Sequence, residues 1–301
     1  MNITITGNLG AGKTTICKFL NQCGYEIIST GKIFRQIADE KGITVLEMNE
    51  LAKTDPSVDK MIDDRSVKLG KEKDNAIFDS RMAWHFIPDS FKVFLLADTN
   101  ESGRRVLSDT ERNAEKYSSI EEATRNLYER MSMERARFKE LYDVDYLSKD
   151  NFNLIIDSTA ATPEQISKEI IRRFEEYKKE PFVGKVELCI ANVYPTESFE
   201  EFSSLSLDGY LEKEKGNESF CSSSIITCVE QKGNIFMVDG HHRAMASAKS
   251  GKPFIEVKVD KDDVEVKPLS EDELKKYEKT GNIIYKYLPS DNVNEGYLFD
   301  F

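Results

Sequence analysis

No apolar run in this sequence approaches the roughly 20 residues that a membrane-spanning helix needs, so no membrane association is expected. Nor does a basic stretch precede the first apolar segment. Met1 leads directly into Ile3-Thr4-Ile5, which reads as the start of a core strand and not as a secretory leader. Cysteine is sparse: Cys17, Cys23, Cys189, Cys221 and Cys228 include no CxxC pair and no zinc spacing. An odd, scattered set of this kind reads as reduced thiols in a cytoplasmic protein. Excess positive charge is also missing. Duplex nucleic acid is gripped mainly through Lys and Arg on phosphate, and a net charge of −12 argues against a general nucleic-acid binder. Internal repeats and low-complexity segments are absent too. With 39% hydrophobic and 32% charged residues, what is left is a globular chain, and 301 residues are enough for two domains.

Over residues 1–180, short apolar runs alternate with longer polar, periodic stretches. The pattern predicts strands at Ile3–Thr6, Glu26–Ile28, Ala76–Asp79, Lys92–Ala97 and Leu154–Asp157. Helices are predicted at Lys13–Gln22, Lys32–Lys41, Asp59–Lys73, Glu101–Ser108, Ile120–Tyr142 and Pro163–Lys179, the last announced by Thr162-Pro163-Glu164. The strands are near-continuous apolar runs, as strands covered on both faces should be. Strand–helix alternation of this kind argues a parallel α/β sheet with helices on both faces. The pattern changes at Lys178-Lys179-Glu180-Pro181. Beyond it, strands are predicted at Val186–Val193, Ser224–Glu230, Ile235–Val238 and Ile255–Val259, with a helix after His242 that stops at Gly251. The expectation is therefore a first domain over 1–180 and a smaller α+β domain over 181–301. The latter ends in a charged helix near Glu271–Lys279 and an aromatic tail of Tyr285, Tyr287, Tyr297, Phe299 and Phe301.

The segment Gly7-Asn8-Leu9-Gly10-Ala11-Gly12-Lys13-Thr14 matches G-x-x-x-x-G-K-[ST] in full. It follows an apolar run and opens a helix, which is the context that gives this pattern its meaning. Gly7, Gly10 and Gly12 let backbone N–H groups turn inward around an anion, and the helix N-terminus adds its positive end. Lys13 is expected to reach the β/γ-phosphates of ATP, and Thr14, followed by Thr15, to stand at the Mg²⁺ side of the cradle. Asp79 closes the apolar run Ala76-Ile77-Phe78, and a carboxylate at a strand end beside such a loop is suited to holding Mg²⁺. In phosphoryl transfer the protein does little covalent work, so positioning and charge neutralisation dominate. That calls for arginines from several loops, because a guanidinium offers phosphate a planar fork. Arg35, Arg81, Arg104, Arg130 and Arg137 all lie after strands or on a plausible lid.

At this point residues 1–175 or so resemble the cytidylate kinase family, particularly its compact archaeal-type members. Ser29-Thr30-Gly31-Lys32-Ile33-Phe34-Arg35 looks like that family's segment after the second strand. Asp79-Ser80-Arg81 looks like its Asp-Gly-Arg turn. Arg104, Arg105 and Arg112 lie where the family has lid arginines. Arg130 to Arg137 and Tyr142-Asp143-Val144-Asp145-Tyr146 look like its arginine-rich helix and following turn, and Asn153–Thr159 looks like its last strand. The resemblance implies an ATP- and Mg²⁺-dependent nucleoside-monophosphate kinase. Ser29, Arg35, Asp79 and Arg81 would bind a nucleotide acceptor, Arg104 and Arg112 would close over ATP, and Lys13, Arg81, Arg130 and Arg137 would stabilise the transfer. Ser80, Trp84-His85, Asp109-Thr110-Glu111 and Met131-Ser132-Met133 depart from the family pattern near the acceptor pocket and lid.

In the second half, an apolar strand runs into Asp239-Gly240-His241-His242-Arg243 and then a helix. Asp-Gly is turn chemistry. Two histidines and an arginine at a helix start suit an anion such as phosphate. Residues 185–260 or so resemble the ParB/sulfiredoxin superfamily, most of all the branch that includes free-serine kinases. The resemblance implies a turn that binds nucleotide phosphates, with Glu197 at an acidic position that is catalytic in some members. Three readings follow. The first is a kinase of CMP, dCMP or a modified pyrimidine nucleotide. The second is a kinase of a hydroxyl acceptor such as free serine, working through the second domain. The third is a P-loop switch that gates a ParB-like binding module.

Overall fold

The computed structural model describes residues 1–55, 57–108, 117–200, 204–216, 225–260, 266, 267, 269–279, 297, 299 and 301. Ten strands form one sheet: β1 (Ile3–Gly7), β2 (Glu26–Ser29), β3 (Ala76–Asp79), β4 (Phe91–Leu96), β5 (Leu154–Asp157), β6 (Lys185–Cys189), β7 (Tyr194–Pro195), β8 (Ile226–Gln231), β9 (Asn234–Asp239) and β10 (Phe254–Asp260). Eleven α-helices lie among the described residues. They are α1 (Lys13–Gln22), α2 (Thr30–Glu40), α3 (Val45–Thr54), α4 (Ser57–Glu72), α5 (Ala83–Phe86), α6 (Thr99–Ser108), α7 (Ile120–Tyr142), α8 (Pro163–Lys179), α9 (Ser204–Gly216), α10 (His241–Lys249) and α11 (Glu271–Lys279).

The strand order is β2-β3-β1-β4-β5-β6-β10-β8-β9-β7. The first five strands are all parallel, with β1 central between β3 and β4. The near-continuous apolar runs are buried on both faces, as Val93, Phe94, Leu95 and Leu96 show by their complete loss of exposure. This is the α/β, P-loop kinase-like arrangement expected for the first part of the chain. It stacks the C-terminal ends of β1, β3, β4 and β5 along one edge, where ligands of open α/β sheets collect.

The sheet does not stop at Pro181. β6 joins β5 in parallel, β10 adds antiparallel to β6, and β8 adds parallel to β10. One apolar cluster runs along the sheet from Leu9, Trp84 and Phe94 to Met237, Met245 and Tyr277. The single strand expected over Val186–Val193 is divided. β6 ends at Cys189, a 3₁₀ turn covers Ile190–Asn192, and β7 starts at Tyr194. The cause is Asp157 at the end of β5. Its buried carboxylate accepts from the Cys189 N–H at 3.1 Å and from the Asn192 side-chain amide at 2.9 Å, and so pulls the chain out of the ladder.

Two polar centres fasten the halves. Asp157 also accepts from the Thr159 N–H and from the Tyr297 hydroxyl at 2.8 Å, which brings the described end of the tail against β5. Phe299 packs on Phe94 with ring centroids 4.5 Å apart. On the other face, the buried Arg173 of α8 meets Glu187 of β6 and Glu256 of β10, the latter at 2.8 Å. A charge this deeply buried is tolerable only with such partners. Burial raises the Glu187 carboxyl above the ordinary range, Glu169 adds to the rise, and Arg173 opposes it.

Helix starts follow local chemistry. Thr162 and Gln165 close a capping box ahead of α8, and Ser119 caps α7. Helix α3, absent from the sequence-based expectations, has its own capping box in Thr44 and Glu47. Helix α9 was not expected either; it has no marked apolar stripe to announce it.

Candidate active site and second cavity

β1 ends at Gly7 and α1 begins at Lys13, so the intervening turn sits at the sheet edge just described. Glycine is enforced sterically at two of its corners. A Cβ on Gly7 would come within 2.3 Å of the Leu95 carbonyl oxygen of β4. A Cβ on Gly10 would lie 2.9 Å from the Ser102 backbone of α6, and the residue has φ +81°. At Gly12, the N-cap of α1, a Cβ would meet nothing within 4 Å, so the cradle is open on that side. Asn8 pins the turn from below. Its N–H donates to the Leu95 carbonyl at 3.0 Å, and its side-chain oxygen accepts from the Ala97 N–H at 2.9 Å.

Lys13 and Arg81 converge on one atom, the Gly7 carbonyl oxygen. Lys13 Nζ reaches it at 3.5 Å, and the Arg81 guanidinium donates to it as well. Arg81 leaves the end of β3 in a fixed pose. Its own carbonyl accepts from Thr6 Oγ1 at 3.2 Å and from the Trp84 indole at 3.0 Å. Trp84, one of the departures from the family pattern, thus supports the arginine. Half-buried among these cations, Lys13 is pushed down to about 7, mainly by loss of water and then by Arg81; Asp79 and Glu134 pull the other way. Burial raises the Asp79 carboxyl, and Lys13 and Arg81 oppose the shift. Asp79 therefore sits where a cation would favour its charged form.

The remaining first-half residues divide into those brought to this cluster and those held elsewhere. Arg130 of α7 comes to the cluster. Its Nε lies 3.4 Å from Glu134 Oε1, and Glu134 Oε2 lies 3.0 Å from Arg81 Nε. Arg137, one turn and three residues further along α7, is exposed and paired with Asp59 of α4. Arg104 is exposed and forks onto Glu101, with both contacts at 2.7 Å. Its neighbour Arg105 is the one that touches the loop. It donates to the Gly10 carbonyl at 3.4 Å and to the Ser158 and Thr159 carbonyls at 2.7 and 3.0 Å, tying the phosphate loop to the end of β5. Ser29 caps α2 by accepting from the Lys32 N–H, and Arg35 is exposed on that helix with no salt bridge among the described residues. Thr14 and Thr15 are exposed on the first turn of α1. Arg112 lies outside the described residues. Among the described residues, no group of three or more His, Cys, Asp or Glu side chains is arranged to hold a metal ion. No helix there is long and apolar enough to cross a membrane.

A cavity of about 550 Å³ opens in the second half. Glu197, Asp239, Gly240, His241, His242 and Arg243 all line it, together with Thr196 and Val238 and with Tyr210 and Lys213 from α9. His241 is buried, and its Nε2 accepts from the Thr196 and Glu197 N–H groups at 3.1 and 3.2 Å. That nitrogen must be unprotonated, so the proton of the neutral ring is on Nδ1, which lies 3.3 Å from Glu197 Oε2. Burial, helped by His242, pushes this ring down to about 4. His242 stacks on Tyr210 with centroids 6.3 Å apart and has its Nδ1 4.0 Å from the same Glu197 oxygen. Arg243 is held by Asp239 at 2.6 Å and by the Ile225 carbonyl at 3.1 Å. Tyr277 of α11 donates to the Glu197 carbonyl at 2.7 Å and so braces the acidic segment from behind. Cys228 is buried with its thiol held well above the ordinary range by burial, consistent with a core role. Cys221 lies outside the described residues.

Sequence reasoning did not single out Glu134, Tyr210 or Lys213. Glu134 left only an i, i+4 spacing from Arg130 as a signal. The two α9 residues are far from the Asp239–Arg243 turn in sequence, and no motif announces them.

Comparison with known proteins adds an independent finding. Residues 2–160 match the cytidylate kinase-like family. The chain is 31% identical to a cytidylate kinase of Methanobrevibacter smithii over 172 residues, which cover 57% of this chain and 96% of that protein. It is 31% identical over 180 residues to a cytidylate kinase of Methanocella arvoryzae, covering 60% of this chain and 99% of the relative. It is also 32% identical over 186 residues to an S-adenosylmethionine-dependent nucleotide dehydratase of Lacinutrix mariniflava, a match that takes in 61% of this chain but only 37% of that protein.

Proposed function

This chain belongs to the cytidylate kinase-like family, and from that premise we propose that it transfers a phosphoryl group from ATP to a nucleoside monophosphate, with CMP, dCMP or a modified pyrimidine nucleotide as acceptor. The observation that carries the reading is the convergence of Lys13 and Arg81 on the Gly7 carbonyl, with Asp79 beside them. Two cations, one from the start of α1 and one from the turn after β3, aimed at one point at the mouth of a phosphate cradle, are what in-line transfer between two anions requires.

In this reading the cradle N–H groups and Lys13 take the β/γ charge of ATP. Thr14 and Asp79, both hard oxygen donors, would hold Mg²⁺, which neutralises charge on the phosphates when bound. Arg81 and Arg130 take the acceptor phosphate, with Arg35 as a further arginine for that phosphate and Ser29 on the acceptor side. Arg104, Arg112 and Arg137 are assigned to closure over the transferring group, which excludes water and protects ATP from hydrolysis. Arg104 and Arg137 would first have to leave Glu101 and Asp59. No strong base is needed, because an acceptor phosphate is already anionic near neutral pH. A coupled ADP-release assay with ATP·Mg²⁺ and CMP, dCMP, UMP, dTMP, AMP, GMP or free serine tests this. Stimulation by a pyrimidine monophosphate that vanishes in Lys13→Ala supports it; no stimulation by any nucleotide refutes it.

A second reading is favoured by the 550 Å³ cavity, which gathers Glu197 and the Asp239–Arg243 turn in one place. In it, the cavity is a second nucleotide- or phosphate-binding site that phosphorylates a hydroxyl acceptor such as free serine. His242→Ala should then abolish an activity that Lys13→Ala leaves intact. Loss of all activity in Lys13→Ala would exclude two activities on the chain.

A further inference from the structure

We infer that Glu134 is a positioning residue that competes with phosphate for the arginine pair Arg81 and Arg130, so that the acceptor must displace a built-in carboxylate before it binds. This rests on the kinase reading for its consequence but not for its geometry. Glu134 is set between the two guanidiniums, with one carboxylate oxygen toward each: Oε2 is 3.0 Å from Arg81 Nε and Oε1 is 3.4 Å from Arg130 Nε. A guanidinium fork satisfied by a carboxylate normally shows two parallel, well-aligned hydrogen bonds. That fit is missing here. Oε2 is buried from solvent, and despite its 3.0 Å approach to Arg81 no hydrogen bond reaches it from the described residues. The contact to Arg130 is longer than a charge-assisted hydrogen bond prefers.

The carboxylate is thus held by charge and poorly satisfied by geometry. A tetrahedral phosphate dianion carries more charge and three acceptor oxygens, so it can offer both arginines better-aligned acceptors than Glu134 does. The same carboxylate favours the protonated form of Lys13. Its displacement would therefore reach the P-loop lysine as well as the acceptor arginines. The physical consequence is selectivity: neutral ligands and monoanions lack the charge to displace Glu134, and the arginines stay neutralised until a phosphate arrives.

The test is titration calorimetry of inorganic phosphate into the full chain preloaded with Mg²⁺ and a non-hydrolysable ATP analogue. It is run on the wild type, on Glu134→Gln and on Glu140→Gln, an exposed position on the same helix with the same charge change. Glu134→Gln is expected to tighten phosphate binding by about three- to tenfold, the size of a partly buried ion pair released for a better partner. Glu140→Gln is expected to change it less than about twofold. Equal or weaker binding in Glu134→Gln, equal tightening in both variants, or no phosphate binding to any form overturns the inference. A thermal melt of each variant checks that it is folded, and Glu134→Asp, which keeps the charge, should bind phosphate no more tightly than the wild type. The kinase reading is judged separately by acceptor-dependent ADP release, so either can fail alone.

Discussion

Lys13 gives the sharpest quantitative test of the site. Its ammonium is held near a pKa of about 7 by burial and by Arg81, against an ordinary value of 10.5. At pH 8 a lysine with that value is protonated in only about one molecule in eleven, and at pH 6 in about ten of eleven. The polyphosphate of ATP favours the charged form strongly, so the bound enzyme should be protonated throughout this range. Binding at pH 8 should then take up about 0.9 proton, falling to about 0.1 at pH 6, and the observed affinity should drop about tenfold from pH 6 to pH 8. The assay is calorimetric titration of Mg²⁺-loaded ATP analogue in buffers of different ionisation enthalpy. Lys13→Arg serves as the reference, since arginine stays charged and the titration of the nucleotide itself cancels in the difference. Equal proton uptake in wild type and Lys13→Arg at pH 8 would refute the reasoning. The same shift has a sign for stability. The unfolded chain keeps this proton until about 10.5, so the residue disfavours the native state below pH 7, and that penalty is relieved as pH rises through the window between the two values.

Other expectations follow from the same geometry. Gly10→Ala places a Cβ against the Ser102 backbone at a left-handed φ, and should cost roughly 1–3 kcal/mol in urea unfolding as well as weakening ATP binding. Asp157→Asn turns an acceptor of hydrogen bonds from Cys189, Asn192 and Tyr297 partly into a donor. It should destabilise the fold by about 2–4 kcal/mol and raise proteolytic cleavage of the C-terminal tail. His241, held near 4 by burial, is neutral in the native state. Its contribution is complete above its ordinary value of 6.5 and is lost as pH falls toward 4, about 3 kcal/mol in all, so His241→Gln should flatten the acid limb of a stability-versus-pH curve. Arg105→Ala frees the loop from the Ser158 and Thr159 carbonyls and should raise the KM for ATP severalfold, whereas Arg104→Ala should leave ATP binding in the absence of acceptor nearly unchanged.

Much of this protein could be read in one dimension because its information is local. The turn from Gly7 to Thr14 declares itself through the contiguous residues that a phosphate cradle needs. The helices α1, α7 and α8 have the ends expected of them, because a Thr162 cap or a run of polar periodicity acts within a few residues. Family resemblance over the first half rests on motifs of the same short range. Five of the second-cavity residues named from sequence are also local in origin, since Asp239 to Arg243 is one strand-to-helix turn, whereas Glu197 reaches the same cavity from a distant segment.

What needed the tertiary structure is whatever depends on pairing between distant segments. Hydrophobic pattern marks β5 and β6 as buried but carries no record of their hydrogen-bonding to each other, and so of one sheet running through residue 180. Arginines are alike in sequence; only packing determines that Arg105 clasps the loop while Arg104 turns to Glu101, or that Arg137 meets Asp59 while Arg130 shares Glu134 with Arg81. The same holds for Asp157, whose partners Cys189, Asn192 and Tyr297 are 32, 35 and 140 residues away. Side-chain charge is written in the sequence, whereas the partner that neutralises it is chosen by the fold, because an ion pair or a buried hydrogen bond is a property of two positions brought together.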